Sequence, residues 1–586
     1  MSSVPLLVDG VAVEVPEGTP TLLDALRDHA GVTSAKDGCS PQGQCGCCTV
    51  LVDGAPRVAC VTPVRRLAGR SITTFDGLDA DRRRAWTDAF LATGASQCGF
   101  CTPGIICRLE GLAAKTARGE AARSGSDGVA ETPVRLEPAA VQRALAAHLC
   151  RCTGWQTITE AALGVGELAA PERDRDALAR ASFRAVIEGG APQIVGADVV
   201  AGRAGFAADT APADAVVVVP DGAGGWTVGD TLAQARHESG KVQGRRSTVV
   251  AEPPLAVPDG DWAVRLSTSW VEPGYLETDA SWCEPGGEPA TPLANGGAFG
   301  GKLEPALAAS LPEAPAPTDG AQPVGVDSVA RRWADHLGRP VRVLLSREDV
   351  VAMGAKRPPI AAGLRSDGSG RVLVGWSGPA DPTPVIDRIA AVLPAADVEV
   401  VPIPGPPTSA ELRGAGWAEA QVLAVALAGT APDRVSVTAP EGGRARVTAF
   451  GPDGIDVTVS GGAPLDEVVL RSYAIGAVHA GLGWVSTEGL AVDEHGHPQD
   501  LTVRSFGILK ASELPPVSIT IDDDDLDGSA RPVSTAVFAA VAAAAWSASH
   551  WAPAWPLGGP PWAPATRRRP SSAQASRPGA TRPAAP

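Results

Sequence analysis

The sequence predicts a multidomain α+β chain, with a small β-rich domain over residues 1–78, a helical bundle over 79–170 and a connector over 171–205. A mixed α/β domain over 206–546 and a disordered tail over 547–586 complete it. Three observations carry this reading. Alternating apolar runs flank a helix-spaced run near the start, and ten of the eleven cysteines crowd between Cys39 and Cys152. Beyond residue 206, strand-like runs alternate with alanine-rich helical runs.

Residues 6–15 and 49–58 each alternate apolar and polar side chains around an Asp-Gly turn, the signature of a hairpin. Between them, Thr21-Leu-Leu-Asp-Ala-Leu-Arg-Asp-His has helical spacing, with Thr21 as its cap. Helical spacing returns over 82–114 and 138–169, and Pro103 suits the first turn of a helix. The stretch Lys115 to Leu136, rich in glycine, serine and charge, predicts a flexible insertion. Val216–Val219, Val341–Leu345 and Ile455–Val459 predict strands, and Ala536–Trp546 a buried helix, far short of the roughly 20 residues that span a bilayer. From Ser547 onward Pro, Ala, Trp and Arg dominate without periodicity, so a disordered tail is expected.

Composition narrows the function. At 586 residues, 44% hydrophobic and 20% charged, the chain can build several cores. A formal charge of -16 repels a phosphate backbone, so nucleic acid is not an expected partner. The N-terminus lacks the basic segment and apolar run of a secretory signal, and no membrane span is read, so a cytoplasmic location is expected. Clustered cysteines in a large chain with these features point to metal or redox chemistry rather than disulfides.

The first constellation is Cys39-Ser-Pro-Gln-Gly-Gln-Cys45-Gly-Cys47-Cys48, with Cys60 twelve positions later. Its spacing is that of a plant-type ferredoxin loop with one residue added after Cys39, and loop glycines let N–H groups approach sulfur. By spacing alone Cys47 could replace Cys48, and four thiolates could equally hold zinc. The second constellation is Gln97-Cys98-Gly-Phe-Cys101-Thr-Pro-Gly and Cys150-Arg-Cys152-Thr-Gly-Trp, one pair before a helix and the other at a helix end. Cys107, further along the helix after Cys101, is expected in the core.

Together these motifs closely resemble the iron-sulfur region of the xanthine dehydrogenase and aldehyde oxidase family of molybdenum hydroxylases. The resemblance implies a ferredoxin-like β-grasp domain holding one [2Fe-2S] cluster on Cys39, Cys45, Cys48 and Cys60. It implies a helical domain holding a second on Cys98, Cys101, Cys150 and Cys152. It also places Gln97 and Cys150 beside a molybdopterin-type molybdenum cofactor.

The resemblance continues more weakly through Gly274-Tyr-Leu-Glu277, Asn295-Gly-Gly-Ala-Phe-Gly-Gly-Lys302, Glu411-Leu-Arg-Gly-Ala-Gly416 and Gly476 to Gly489. It implies a shortened molybdopterin-binding domain, with Gly297, Phe299, Gly300 and Gly301 at the cofactor and Arg413 at substrate, where guanidinium can orient a heterocycle. A glycine-rich loop suits this role because a backbone without Cβ atoms can approach a phosphate-bearing pterin. Nothing over 171–270 resembles the family's flavin domain. The implied activity is hydroxylation of an N-heterocycle or aldehyde, with a separate flavoprotein or other electron acceptor, and a further subunit, as the implied partners.

The sequence also departs from the family. A Gln-bearing strand before the glycine loop and a second Gly-Gln-Gly loop are missing. The family's general base is a Glu in a Gly-x-Gly-Glu setting before the last helix, where this chain reads Gly528-Ser-Ala-Arg-Pro-Val-Ser-Thr535 without a carboxylate. Losing a general base typically costs about 10²- to 10⁴-fold in rate. Asp522 to Asp525 read as a solvated charge run. The alternative expectation is an iron-sulfur electron-transfer subunit whose back half holds no molybdenum.

Overall fold

The computed structural model describes residues 3–124, 135–190, 193–241, 249–290, 315, 325–499, 501–522 and 528–563. Gly297, Phe299, Gly300 and Gly301 of the expected cofactor loop lie outside the described residues, as do Asp523 to Asp525.

Ser3–Val8 alternates exposed and buried side chains, so one face of the first sheet enters a core. It pairs antiparallel with Val11–Pro16 through a turn whose Asp9 and Gly10 both take positive φ, 49° and 82°. Asp-Gly favours this turn because its twist matches that of the flanking strands. Ser3–Val8 also runs parallel to Ser71–Thr73, which pairs antiparallel with Thr49–Val52, and Ala55–Val58 closes the edge of a five-stranded sheet. The helical segment Leu22–His29 lies between the hairpins in sequence and buries Leu22, Leu23 and Leu26. Thr21 begins it with a capping box: its side chain accepts from the Asp24 N–H, and the Asp24 carboxylate accepts from the Thr21 N–H. This is the β-grasp arrangement.

Four helices follow: Ala80–Thr93, Thr102–Ser124, Pro138–Leu145 and Gln156–Leu163. Trp86, Phe90, Ile105, Ile106, Leu109, Val141 and Ile158 form their buried faces. The core they share with the first sheet also takes in Trp270, Leu490, Val503, Phe506 and Ile508, so front and back are welded by apolar packing.

Three further sheets build the back. One orders Trp226–Gly229, Val216–Pro220, Val341–Leu344 and Ala280–Cys283; a second orders Ala396–Pro402, Gly370–Trp376, Ile360–Leu364, Val264–Thr268 and Ala554–Trp555. The third orders Ser436–Thr438, Arg444–Gly451, Gly454–Ser460 and Val517–Ile521. The helices Glu467–Ser486 and Ser534–Ala548 run through this core, touching where Trp484 stacks on Phe538 at 5.1 Å. Glu467–Ser486 is long and apolar enough to cross a membrane by composition, but 89% of its apolar window is buried inside the protein, as a core helix requires.

Three sequence expectations change. The Thr102–Ser124 helix runs through the first part of the expected insertion, because Ala, Arg, Lys and Glu outweigh the single Gly119 over residues 115–124. The connector contains the helix Arg175–Gly189, started by Asp174, whose carboxylate accepts from the Ala177 N–H at 2.8 Å, and ended by left-handed Gly190. The tail is ordered as far as Ala563: Ala554–Trp555 adds a strand to the second sheet, and Trp555 is buried edge-on against Trp484 and Trp546. Burial of indole rings, which needs no periodicity, holds it there.

Candidate metal centres

The loop after Asp37 winds through left-handed Ser40, Gly43 and Gly46, turning Cys39, Cys45 and Cys48 inward; these three and Cys60 are at most 3% exposed. A side chain at Gly46 would overlap the buried imidazole of His148. The four sulfurs form a row: Cys45 is within hydrogen-bonding reach of Cys39, Cys39 of Cys60, and Cys60 of Cys48. Backbone N–H groups point at the row, from Gln42 to Cys39 Sγ at 3.1 Å and from Cys60 to Cys48 Sγ at 3.4 Å. Donation from the neighbouring thiols and N–H groups holds the Cys39 thiol well below its usual range and pushes its neighbours Cys45 and Cys60 up. The environment thus favours negative charge on the Cys39 sulfur.

The second set repeats this pattern at the mouth of the Thr102–Ser124 helix. Cys101 reaches Cys150, Cys150 reaches Cys152, and Cys152 Sγ lies 3.6 Å from Cys98 Sγ. Thr153 Oγ1 adds a contact to Cys150 Sγ at 3.2 Å, and the Cys150 thiol is held well below its usual range. The two rows adjoin. The Leu149 N–H donates to the Cys45 carbonyl at 2.9 Å, and the first turn of the Thr102–Ser124 helix is pressed so close to Gly46 and Cys47 that only Gly104 fits there. Cys47 adjoins the first row at Cys45, within hydrogen-bonding reach of it, and Cys107 is core, its thiol pushed up by burial.

The back half grips the second row. Both Arg151 N–H arms donate to the Glu488 carboxylate at 2.6 Å, and Arg151 Nε donates to the Pro273 carbonyl at 2.9 Å, all buried. Trp155 Nε1 donates to the Leu509 carbonyl at 2.9 Å, and Gly476 packs on the Cys152 carbonyl with no room for a Cβ. Gln97, expected beside the pterin, donates through Nε2 to the Cys152 carbonyl at 3.1 Å and to Ser472 Oγ at 3.0 Å.

Arg413 is half-buried and donates to the main-chain carbonyl of Glu188, away from both cysteine rows in sequence and tied to the connector helix. The segment before the last helix, which lacks a carboxylate of its own, receives one from that same Glu188. Its oxygens accept from the Val533 and Ser534 N–H groups at 3.0 to 3.2 Å, from Ser534 Oγ at 2.6 Å and from Arg184 at 3.0 Å. Sequence reasoning missed Glu188, although Arg184 and Glu188 are four apart on one helix and so share a face. Arg151–Glu488 has no local signal, since 337 positions separate the partners.

Comparison with known proteins finds matches to both cysteine-bearing segments. Residues 6–65 match the family model described as a 2Fe-2S iron-sulfur cluster binding domain, and 74–163 match a [2Fe-2S] binding domain. The chain is 37% identical over 147 residues to the xanthine dehydrogenase iron-sulfur-binding subunit of Escherichia coli, covering 25% of this chain and 81% of that one. It is 40% identical over 153 residues to the nicotine 6-hydroxylase small subunit of Paenarthrobacter nicotinovorans, covering 26% and 80%. The crystal structure of the aldehyde oxidoreductase from Desulfovibrio desulfuricans shares the fold with a TM-score of 0.65 at 14% identity, over 93% of this chain and 97% of that one. The chain belongs to the xanthine dehydrogenase and aldehyde oxidoreductase family of molybdenum hydroxylases, as an oxidoreductase with two [2Fe-2S]-binding domains at its N-terminal end.

Proposed function

We propose that Cys39, Cys45, Cys48 and Cys60 hold one [2Fe-2S] cluster and Cys98, Cys101, Cys150 and Cys152 the other. The chain then carries electrons from hydroxylation of an N-heterocycle or aldehyde to an external acceptor such as a separate flavoprotein, in the cytoplasm. The observation that carries this is the pair of sulfur rows. Four thiolates around one zinc would each approach the other three at roughly 3.8 Å, given Zn–S bonds near 2.3 Å. A row, in which each sulfur has at most two sulfur neighbours, suits two metal ions that each take an adjacent pair.

When bound, such clusters supply one-electron transfer. The chain's own part is to exclude water through full burial, to aim N–H groups at sulfur, and to bring the rows together through the Leu149 to Cys45 hydrogen bond. The test is iron, zinc and molybdenum content of protein made in a cofactor-competent host. About four irons per chain with one molybdenum is expected; zinc without iron sinks the reading.

A second reading, an electron carrier whose back half holds no molybdenum, is favoured by one observation. Arg413 and the start of the last helix are both engaged by the connector helix through Glu188. Four irons without molybdenum would decide for it.

A further inference from the structure

Cys47 lies one residue from a ligand position, is fully buried, and adjoins the first row at Cys45 without being one of its four proposed ligands. Its place is set by Gly38. The point where a Gly38 Cβ would stand is 3.1 Å from Cys47 Sγ, 3.2 Å from Cys45 Sγ and 3.1 Å from the Phe100 ring. The Cys47 sulfur, the Cys45 sulfur and the ring of the residue between Cys98 and Cys101 thus surround one point beside Gly38, and the two sulfurs are within hydrogen-bonding reach of each other. Its thiol has two acceptors in reach. One is the Cys45 carbonyl, at a long 3.9 Å and already bonded to the Leu149 N–H; the other is the Cys45 sulfur, which as a deprotonated ligand can only accept, so that the proton between the two sulfurs is then held by Cys47.

A thiol is a weak donor, and an anionic sulfur is its stronger acceptor. Hydrogen bonds donated to a cluster's sulfurs set its reduction potential, because they stabilise the state with more negative charge on sulfur. In a buried site such a bond is screened little by water.

We propose that Cys47 tunes the first cluster, its S–H donating to the Cys45 sulfur from the side facing the second row and raising the first cluster's potential relative to the second. Cys47 is thus a positioning residue, not a ligand. The inference rests on the two-cluster reading above. A hydrogen bond worth about 0.5–1.5 kcal/mol changes an equilibrium constant about two- to tenfold, and tenfold is 59 mV for a one-electron couple.

The test is a dithionite titration of the full chain, following each cluster's electron paramagnetic resonance signal, for wild type, Cys47→Ala and Cys47→Ser. The expected result is full iron in all three. Electron sharing should shift about two- to tenfold away from the first cluster in Cys47→Ala, with most of the shift restored by the serine hydroxyl. Wild-type potentials in Cys47→Ala would overturn the proposal while leaving the two-cluster reading intact. Loss of about two irons in Cys47→Ala would overturn it by making Cys47 a ligand. Zinc without iron in the wild type would remove the two-cluster reading and this inference together.

Discussion

The front of the molecule, to residue 163, and the back, from residue 206, use their chemical residues in opposite ways. In the front, the eight cysteines expected as ligands face one of two sulfur rows, and the surrounding glycines, N–H groups and apolar side chains serve that placement. In the back, the described contacts join one element to another. Ser472 receives Gln97 from the front, Arg413 is tied to the connector helix, and the buried pair Arg151–Glu488 secures the second row. The difference teaches that local spacing can specify a site whose ligands are close together in a loop. It cannot specify one whose members arrive from elements hundreds of residues apart.

The largest effect should come from the rows themselves. Cys60→Ala removes a thiolate that joins Cys39 to Cys48, and Cys101→Ala removes the end of the second row. Each should lose about two of four irons and one of two paramagnetic signals, leaving the other cluster in place. Because metal binding contributes directly to folding free energy, each should also lower the melting temperature. Loss of all iron in either variant would mean that the rows do not assemble separately.

Next is the join between the halves. Arg151→Met leaves the Glu488 carboxylate buried and unpaired, which costs about 3–5 kcal/mol. The double variant Arg151→Met/Glu488→Leu removes both charges and should recover most of that loss. Urea midpoints measure both. A single variant with wild-type stability would show that the back half does not grip the second row.

A smaller loss tests the connector helix. Glu188→Ala strands the Val533 and Ser534 N–H groups at a helix start and leaves the buried Arg184 without its carboxylate, about 2–4 kcal/mol together. Iron content should not change, since no cysteine touches this cluster of contacts. Iron loss in this variant would blur the division between a cofactor-holding front and a structural back.

Legibility follows the same division. Both hairpins, the Thr21 cap and the ten crowded cysteines were readable because each is specified within a dozen or so residues, by alternation, by side-chain capping or by spacing. The Arg175–Gly189 helix was hidden by its charge and alanine content, which alternate with no apolar stripe. Its buried residues include Arg184 and Glu188, whose charges are neutralised only by partners far along the chain. The strand Ala554–Trp555 was hidden by the proline and tryptophan around it, which mimic a disordered tail until the indoles find Trp484 and Trp546. Cys47 and Cys48 are ambiguous in sequence because two adjacent cysteines satisfy the same spacing.

The smallest effect concerns a proton and compares one histidine from each half. His479, in the back, and His148, in the front, are both buried; burial lowers both, His148 to about 3. His479 Nε2 contacts the Leu509 carbonyl at 2.9 Å, so that nitrogen carries the proton and donates; the paired Arg151 and Glu488 and the Cys150 sulfur are its charged neighbours. In the unfolded chain each imidazole binds a proton near pH 6.5, whereas in the folded chain it stays neutral to lower pH. The unfolded state therefore binds more protons as pH falls below about 6.5, and stability must fall with it; above that pH the two states do not differ. One unit below the unfolded value, His148 should cost the fold on the order of 1.4 kcal/mol, and His479 acts in the same direction. His479→Gln keeps an N–H for Leu509 but cannot take up a proton, so its loss of stability between pH 7.5 and 5.5 should be smaller than that of wild type. Equal losses would mean that His479 already protonates inside the folded core, and that the back half is less sealed against water than the cluster-bearing front.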